Sequence, residues 1–419
     1  MGDRRLAAWA VLGCAVSFAA VWMAQRAAHV SMVDVMVYRA AGWTVRTGGD
    51  LYAMRLGTAR LPMTYPPFAG LLFVPLTWVA TDTMRTAVMA ANLALVVALA
   101  ALSLRLVARP ARVPAVILVA ALSVWCEPVW ATLRYGQVNL LVIVLVLWDL
   151  TRRSGNRWAG VGIGIAAGLK LTSGLFVVFL VAAAVLVPGD RIVHLRRALV
   201  ATATFAVTVL VGVLALPHDS RNYWTHVVFT PDRPGAGEIT ANQSVRGIVA
   251  RIEHTGTPGA AWVLAALVVG ALGLAVALVA TKAGDRMPPA GAWSVVAVGV
   301  TALLVSPVSW THHWVWAEPM VVLLASEALR RRDRRLGGAA VAALVVFSSY
   351  MVWYVPHGNN NDQPEMHQNP GEMLVSAAYP LVAVGFLALA GVMALRALRL
   401  PPGGKDAADH ASARALRSS

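Results

Sequence analysis

Asp34 stands alone among acidic residues: none other lies between Asp3 and Asp50. It sits in the apolar run Val33-Asp34-Val35-Met36-Val37, where a carboxylate is costly unless it has a task or a partner. Two readings are open. It can be a general base that takes a proton from an attacking hydroxyl, or a helix cap or ion-pair partner for Arg39. Further on, Tyr65 opens Tyr65-Pro66-Pro67-Phe68, either lining a sugar site or belonging to an interfacial aromatic belt. The stretch Arg134-Tyr135-Gly136-Gln137-Val138-Asn139 sets two amides, Gln137 and Asn139, and a cation between apolar runs. Lys170, in Gly168-Leu169-Lys170-Leu171-Thr172, either snorkels to a membrane surface or binds an anion. Asn242, Gln243 and Arg246 share one polar segment, 241–247. Amide side chains donate and accept, which suits sugar hydroxyls. Finally, His312 and His313 lie in Ser309-Trp310-Thr311-His312-His313-Trp314. An interfacial belt explains the tryptophans but not paired histidines. A metal site is the rival for that pair. Neighbours on a helix point about 100° apart and do not readily share one ion, and no His-Glu-x-x-His pattern is present. The two cysteines, Cys14 and Cys126, fall inside apolar runs and read as packing residues.

What positions these residues is a membrane bundle. The chain has 419 residues, 58% apolar and 13% charged, against roughly 25% charged in soluble domains. A span needs about 20 apolar residues, fewer where helices break against protein. Twelve apolar runs qualify: 6–24, 68–108, 113–133, 138–150, 158–169, 173–187, 198–216, 260–280, 290–306, 314–329, 336–354 and 373–395. The run 68–108 counts as one net crossing, with 68–80 a short re-entrant or tilted segment. The pieces on either side of 168–173 are two short spans or one broken helix. With the N-terminus cytoplasmic, the basic connections 109–112, 152–157, 188–197, 281–289 and 330–335 all fall inside, the last with five arginines, as the positive-inside rule requires. The connections 25–67, 134–137, 217–259, 308–313 and 355–372, rich in amides, histidines and aromatics, fall outside. The net charge of +15 is thus a topological signature, and no nucleic-acid partner is implied. Residues 1–400 form one membrane domain, and 401–419 read as a disordered cytoplasmic tail.

Ionisable residues gather at one membrane face rather than along the midplane, which favours an enzyme over a transporter. A lipid-linked sugar flippase would show inverted repeats and polar residues throughout the bundle, and neither is visible. The combined pattern of Asp34 with Tyr38, Tyr65-Pro66-Pro67, Gly136-Gln137-x-Asn139, Lys170, Asn242-Gln243-Ser244 and Trp310-Thr311-His312-His313-Trp314 resembles the actinobacterial GT-C membrane glycosyltransferases. Within these it is most similar to the polyprenyl-phosphate-mannose-dependent α-(1→2)-mannosyltransferases of glycosyltransferase family 87. The resemblance implies an all-α GT-C bundle of about twelve transmembrane helices with long outer loops, in the plasma membrane, its site on the extracytoplasmic face. It implies a polyprenyl-phosphate-sugar donor, a glycolipid or lipoglycan acceptor, inversion from β donor to α product, and no metal or cofactor. Mannose is the expected sugar, with an arabinofuranosyl donor the alternative. Asp34 is then the expected base. His312, His313, Lys170, Tyr65, Gln137, Asn139, Asn242, Gln243 and Arg246 are the expected substrate contacts.

The topology is open to a direct test. An impermeant thiol reagent applied from outside should label Thr58→Cys and leave Asp333→Cys unlabelled. Labelling of both from one side rules out the twelve-span arrangement.

Overall fold

The computed structural model describes residues 2–358 and 363–399, so the expectation of a disordered 401–419 tail lies outside the described residues. Among these are eighteen α-helices and one short strand pair, Arg55–Leu56 with Leu61–Pro62. Five helices are long and apolar enough to cross a membrane: Ala8–Ala27, Thr81–Leu106, Arg191–Ala215, Ala260–Arg286 and Ala378–Arg399. A sixth span results if Val113–Ser123 and Glu127–Tyr135, bent by 75°, count as one. Shorter apolar helices, Pro67–Thr77, Asn139–Leu150, Leu171–Leu186 and Ala290–Val305, fill the bundle between them. Helices too short for the bilayer are tolerated where their ends are buried in protein.

The ambiguous run 68–108 divides at 78–80. A helix Pro67–Phe73 continues as one 3-10 turn, Val74–Thr77, and a new helix of 26 residues starts at Thr81. Pro67 opens the first helix, where its missing N–H costs nothing. The short piece packs under the amphipathic helix Val33–Thr47, and Tyr38 stacks on Phe73 with ring centroids 4.3 Å apart.

The chain reverses at Lys170. The helix Val161–Leu169 runs parallel to Arg191–Ala215: a Cβ on Gly160 would meet Arg197 and Ala201, one on Gly164 Ala201 and Thr204, and one on Gly168 Thr208. The chain must then return through Leu175–Leu186 to begin the long helix again at Arg191. Lys170, with extended backbone (φ −145°, ψ 109°), therefore sits at the turn of a hairpin straddling the long helix. The sequence left this open between two short spans and one broken helix. Gly164 and Gly168 are four apart and face Thr204 and Thr208, also four apart, the small-residue packing that lets membrane helices approach closely.

That contact sets the height of Lys170. A Cβ at Gly168 would lie 2.3 Å from Thr208 Oγ1 and 2.7 Å from Thr208 Cβ, so Gly168→Ala should force the helices apart at about 1–3 kcal/mol. Thermal unfolding in detergent should show the loss, and Thr208→Gly in the same chain should restore part of it. An unchanged melting temperature for Gly168→Ala would remove this contact as the determinant.

Candidate active site

One cavity of about 760 Å³ opens among the segments that the sequence singled out, walled by Asp34, Tyr65, Gln137, Lys170, His312 and His313. Asp34 enters it from the first turn of the Val33–Thr47 helix. The helix Glu127–Tyr135, which leads into Gln137, ends at Gly136, which adopts φ 70°. A Cβ there would lie 2.9 Å from Val35 Cβ, so both backbone conformation and close approach demand glycine. This close approach delivers Gln137 to Asp34. Its Nε2 donates to Asp34 Oδ2 at 2.7 Å. Its Oε1 accepts from the Tyr38 hydroxyl at 2.7 Å and the Tyr65 hydroxyl at 3.0 Å. The ionised carboxylate only accepts, so it takes the amide's NH₂ and leaves the oxygen to the two hydroxyls. Arg39, the partner expected on the bland reading, points away to the carbonyls of Leu76 and Val79. Burial pushes the Asp34 carboxyl up to about 6, against the opposing pull of the Gln137 hydrogen bond and the Lys170 charge.

Lys170 Nζ donates to Asn139 Oδ1 at 2.8 Å and lies 5.9 Å over the Tyr65 ring. Asn139 Nδ2 in turn donates to the His312 carbonyl at 2.8 Å, as does Thr132 Oγ1 at 2.9 Å. Asn139 thus holds Lys170 and the histidine segment from behind. It does not line the cavity and stands behind the residues that do, although the sequence counted it among the substrate contacts. The histidines lie on the 3-10 segment Thr311–Trp316. Their rings meet edge to face with centroids 4.8 Å apart, and Tyr135 closes on His312 at 5.2 Å. His312 Nε2 is buried and has no partner among the described residues. Burial, with Lys170 nearby, holds both imidazoles well below their usual range. They therefore face the cavity as neutral donors or acceptors, not as cations.

Three expected contacts are committed inside the protein. Asn242 donates to the Gly237 carbonyl at 3.0 Å and accepts from Ser309 N at 3.0 Å. Gln243 donates to the Thr240 and Ser376 carbonyls, both at 2.6 Å. Arg246 is 2% exposed and bonds Asp232 and the Pro231 carbonyl. None lines the cavity. Asn242 and Gln243 fasten the outer loop to Ser309, just before the histidines, while Arg246 ties that loop to itself; a deeply buried amide takes up such bonds because unpaired polar groups are costly. The sequence missed two cavity residues. Tyr38 was noted only as part of a spacing. Arg233 lines the wall and donates to the Met63 and Tyr52 carbonyls at 2.9 and 2.5 Å. Its position in an expected outer loop, where arginine runs against the charge rule, was the available signal. Asp50, His218 and Asp219 have metal-ligand spacing but lie off this cavity. Asp50 Oδ1 accepts from Tyr52 N and Ala53 N, and Asp219 Oδ1 from Leu51 N.

Comparison with known proteins places this geometry in context. The model of glycosyltransferase family 87 matches residues 63–307. The chain is 30% identical over 403 residues to a polyprenol-phosphate-mannose-dependent α-(1-2)-phosphatidylinositol mannoside mannosyltransferase of Mycobacterium tuberculosis H37Rv, covering 92% of this chain and 91% of that one. It is 30% identical to the protein of the same description from Mycolicibacterium smegmatis, covering 84% and 83%. A pentamannoside mannosyltransferase of Mycobacterium tuberculosis CDC 1551 is 31% identical, covering 82% and 80%. No solved structure matches significantly.

The protonation of Asp34 is measurable without substrate. In infrared difference spectra, a protonated-carboxyl band present in the wild type and absent in Asp34→Asn should titrate near pH 6, disappearing as pH rises. The Gln137 bond favours the charged form, so Gln137→Leu should move that titration to higher pH. An unmoved or downward-shifted band would mean that the amide does not support the carboxylate.

Proposed function

The chain belongs to glycosyltransferase family 87, and from that premise we propose how its cavity works. It is a membrane mannosyltransferase. On the reading advanced here it moves mannose from polyprenyl-phosphate-mannose to a hydroxyl of a glycolipid of the phosphatidylinositol-mannoside type. The new bond is α-(1→2), formed with inversion at the extracytoplasmic face of the plasma membrane, in a bundle of twelve crossings. The observation that carries the proposal is the Asp34–Gln137 pair facing Lys170 and the histidines across one cavity. The relatives' names support the donor and acceptor classes.

In a single displacement the acceptor oxygen attacks the anomeric carbon as the bond from that carbon to the phosphate oxygen breaks. Inversion needs one base on the face opposite the leaving group, the logic of inverting glycosidases. Asp34 takes the acceptor proton. The departing phosphate gains negative charge and needs no proton. Lys170 supplies the facing cation, held by Asn139, and a neutral histidine N–H supplies a directed donor. Both substrates carry lipid tails, which explains a cavity at the membrane edge rather than within a soluble domain.

Transfer from radiolabelled polyprenyl-phosphate-mannose, run beside the corresponding arabinose donor with product linkage determined, tests the sugar. Activity with arabinose alone would replace the donor assignment. For the residues, Asp34→Asn should fold normally and lose at least ~10²-fold in turnover. Lys170→Met should lose about 10²–10³-fold at saturating donor, the usual cost of one transition-state donor. At least one of His312→Ala and His313→Ala should fall with it. Normal turnover in Asp34→Asn removes the base, and normal turnover in the other three places the leaving phosphate elsewhere.

A further inference from the structure

The opposite end of the bundle carries a second cavity, of about 380 Å³. The helices Ala290–Val305 and Ala317–Arg331 connect the two ends. At 1.5 Å per residue each is about 22–24 Å long. Ser306 and His312 mark their candidate-site end, and Arg331 the other. The second cavity draws Arg286 from the end of one helix, Arg331 and Arg335 from either side of a helix–helix turn, and Arg396 from the last helix. Apart from Asp333, its remaining wall is apolar, including Ala339, Leu389 and Val392.

The charges here lack an internal counterpart. Among the described residues, no side-chain hydrogen bond or ion pair reaches Arg286, Arg335 or Arg396. Arg331 is paired with Glu327 at 3.0 Å. The one acid in the wall, Asp333, is turned to the start of its own helix, accepting from Arg335 N at 2.7 Å and Leu336 N at 3.3 Å. Some other arginines at this end are tied to the protein instead. Arg109 donates to the Ser326 carbonyl at 3.1 Å, and Arg197 to the Arg152 carbonyl at 2.8 Å. Three exposed arginines around one cavity, with the wall's one acid turned to its own helix, suit an anion from outside. The apolar wall says what carries it. Val392 is 45% exposed, and Val341, Val345, Val384 and Leu395 on the same two helices also face outward, as expected of a lipid-facing surface.

We propose that this cavity binds an anionic phospholipid from the adjoining leaflet. The phosphate lies among Arg286, Arg335 and Arg396, and an acyl chain runs along Ala339 and Val392. Basic pockets between helices at a membrane's positively flanked side suit such headgroups. The site is separate from the transfer cavity and does not rest on the mechanism assigned there.

Native mass spectrometry of the full-length protein tests this, with equal amounts of dioleoyl-phosphatidylglycerol and dioleoyl-phosphatidylcholine supplied in mild detergent. The wild type should retain phosphatidylglycerol in preference. The triple variant Arg286→Gln, Arg335→Gln, Arg396→Gln should bind it about 100-fold more weakly, from the usual contribution of each surface cation. Arg112→Gln, a basic-side control away from the cavity, should be unchanged. Ala339→Phe narrows the apolar wall without touching the charge and should also weaken retention, which decides the matter if the triple variant does not fold. Equal retention of the two lipids, undiminished phosphatidylglycerol binding in a folded triple variant or in Ala339→Phe, or displacement by glycerol phosphate at concentrations matching the lipid would each overturn the proposal. The last result would identify a soluble-anion site instead.

Discussion

The bond from Gln137 to Asp34 is the contact on which the candidate site depends. A carboxylate sunk among Val33, Val35 and Val37 is unfavourable unless something favours its charged form. Gln137 does so with one N–H, while its oxygen accepts from Tyr38 and Tyr65 and ties the amide to them. The tyrosines are themselves placed by packing. Tyr38 stacks on Phe73 and meets Tyr65 edge to face at 5.4 Å. The short Pro67–Phe73 helix therefore matters to the carboxylate although it never touches it. This is a chain of ordinary contacts with one chemical consequence, a carboxyl poised near neutrality rather than fully ionised or fully suppressed.

Lys170 is positioned by a different kind of constraint. Its ammonium bonds Asn139 rather than a side chain of its own hairpin, and its location follows from how closely Val161–Leu169 can lie on Arg191–Ala215. The glycines allow that approach, the hairpin turn ends beside Asn139, and Asn139 joins the ammonium to the backbone of His312. The cavity's two walls thus have separate origins. An amphipathic outer helix sets one, and membrane-helix packing sets the other. They meet where Asp34, Gln137, Tyr65 and Lys170 face one another.

The residues that meet at the cavity could be singled out in the sequence because they are rare residues in improbable places. A lone acid in an apolar stretch, a lysine between two short spans and a histidine pair at a membrane edge each demanded a reason. The helical membrane class was legible from composition. The amides Asn242 and Gln243 were misread, because residue type alone cannot distinguish a side chain that greets a sugar from one that satisfies a buried carbonyl. The difference is set by where the outer loop folds back, through the Ser309 contacts to Asn242 Oδ1 and from Gln243 N. Asn139 was correctly located but wrongly faced, since its direction depends on a backbone carbonyl 173 positions away. The number of crossings was the least legible quantity. Hydropathy marks apolar runs, but whether a run is one long helix or a broken pair is decided by turns such as the one at 78–80.

The charge inventory of the cavity bears on the proposed chemistry. Burial draws the Lys170 ammonium down to about 7 and pushes the Asp34 carboxyl up to about 6, so the two titrate close together and each favours the other's charged form, while the imidazoles are neutral. On the proposed mechanism, a donor phosphate brings an additional negative charge into this nearly balanced space and competes with Asp34 for the field of Lys170. As the glycosidic bond breaks, the phosphate gains still more charge. Its repulsion of Asp34 grows, and the carboxylate's affinity for a proton rises with it. Loss of the acceptor proton and departure of the phosphate therefore reinforce one another, because protonating Asp34 relieves the repulsion that bond breaking creates. A base already far below neutrality would gain little from this coupling, and one already protonated could not act. Partial desolvation, restrained by a single fixed amide, leaves the carboxylate between those limits.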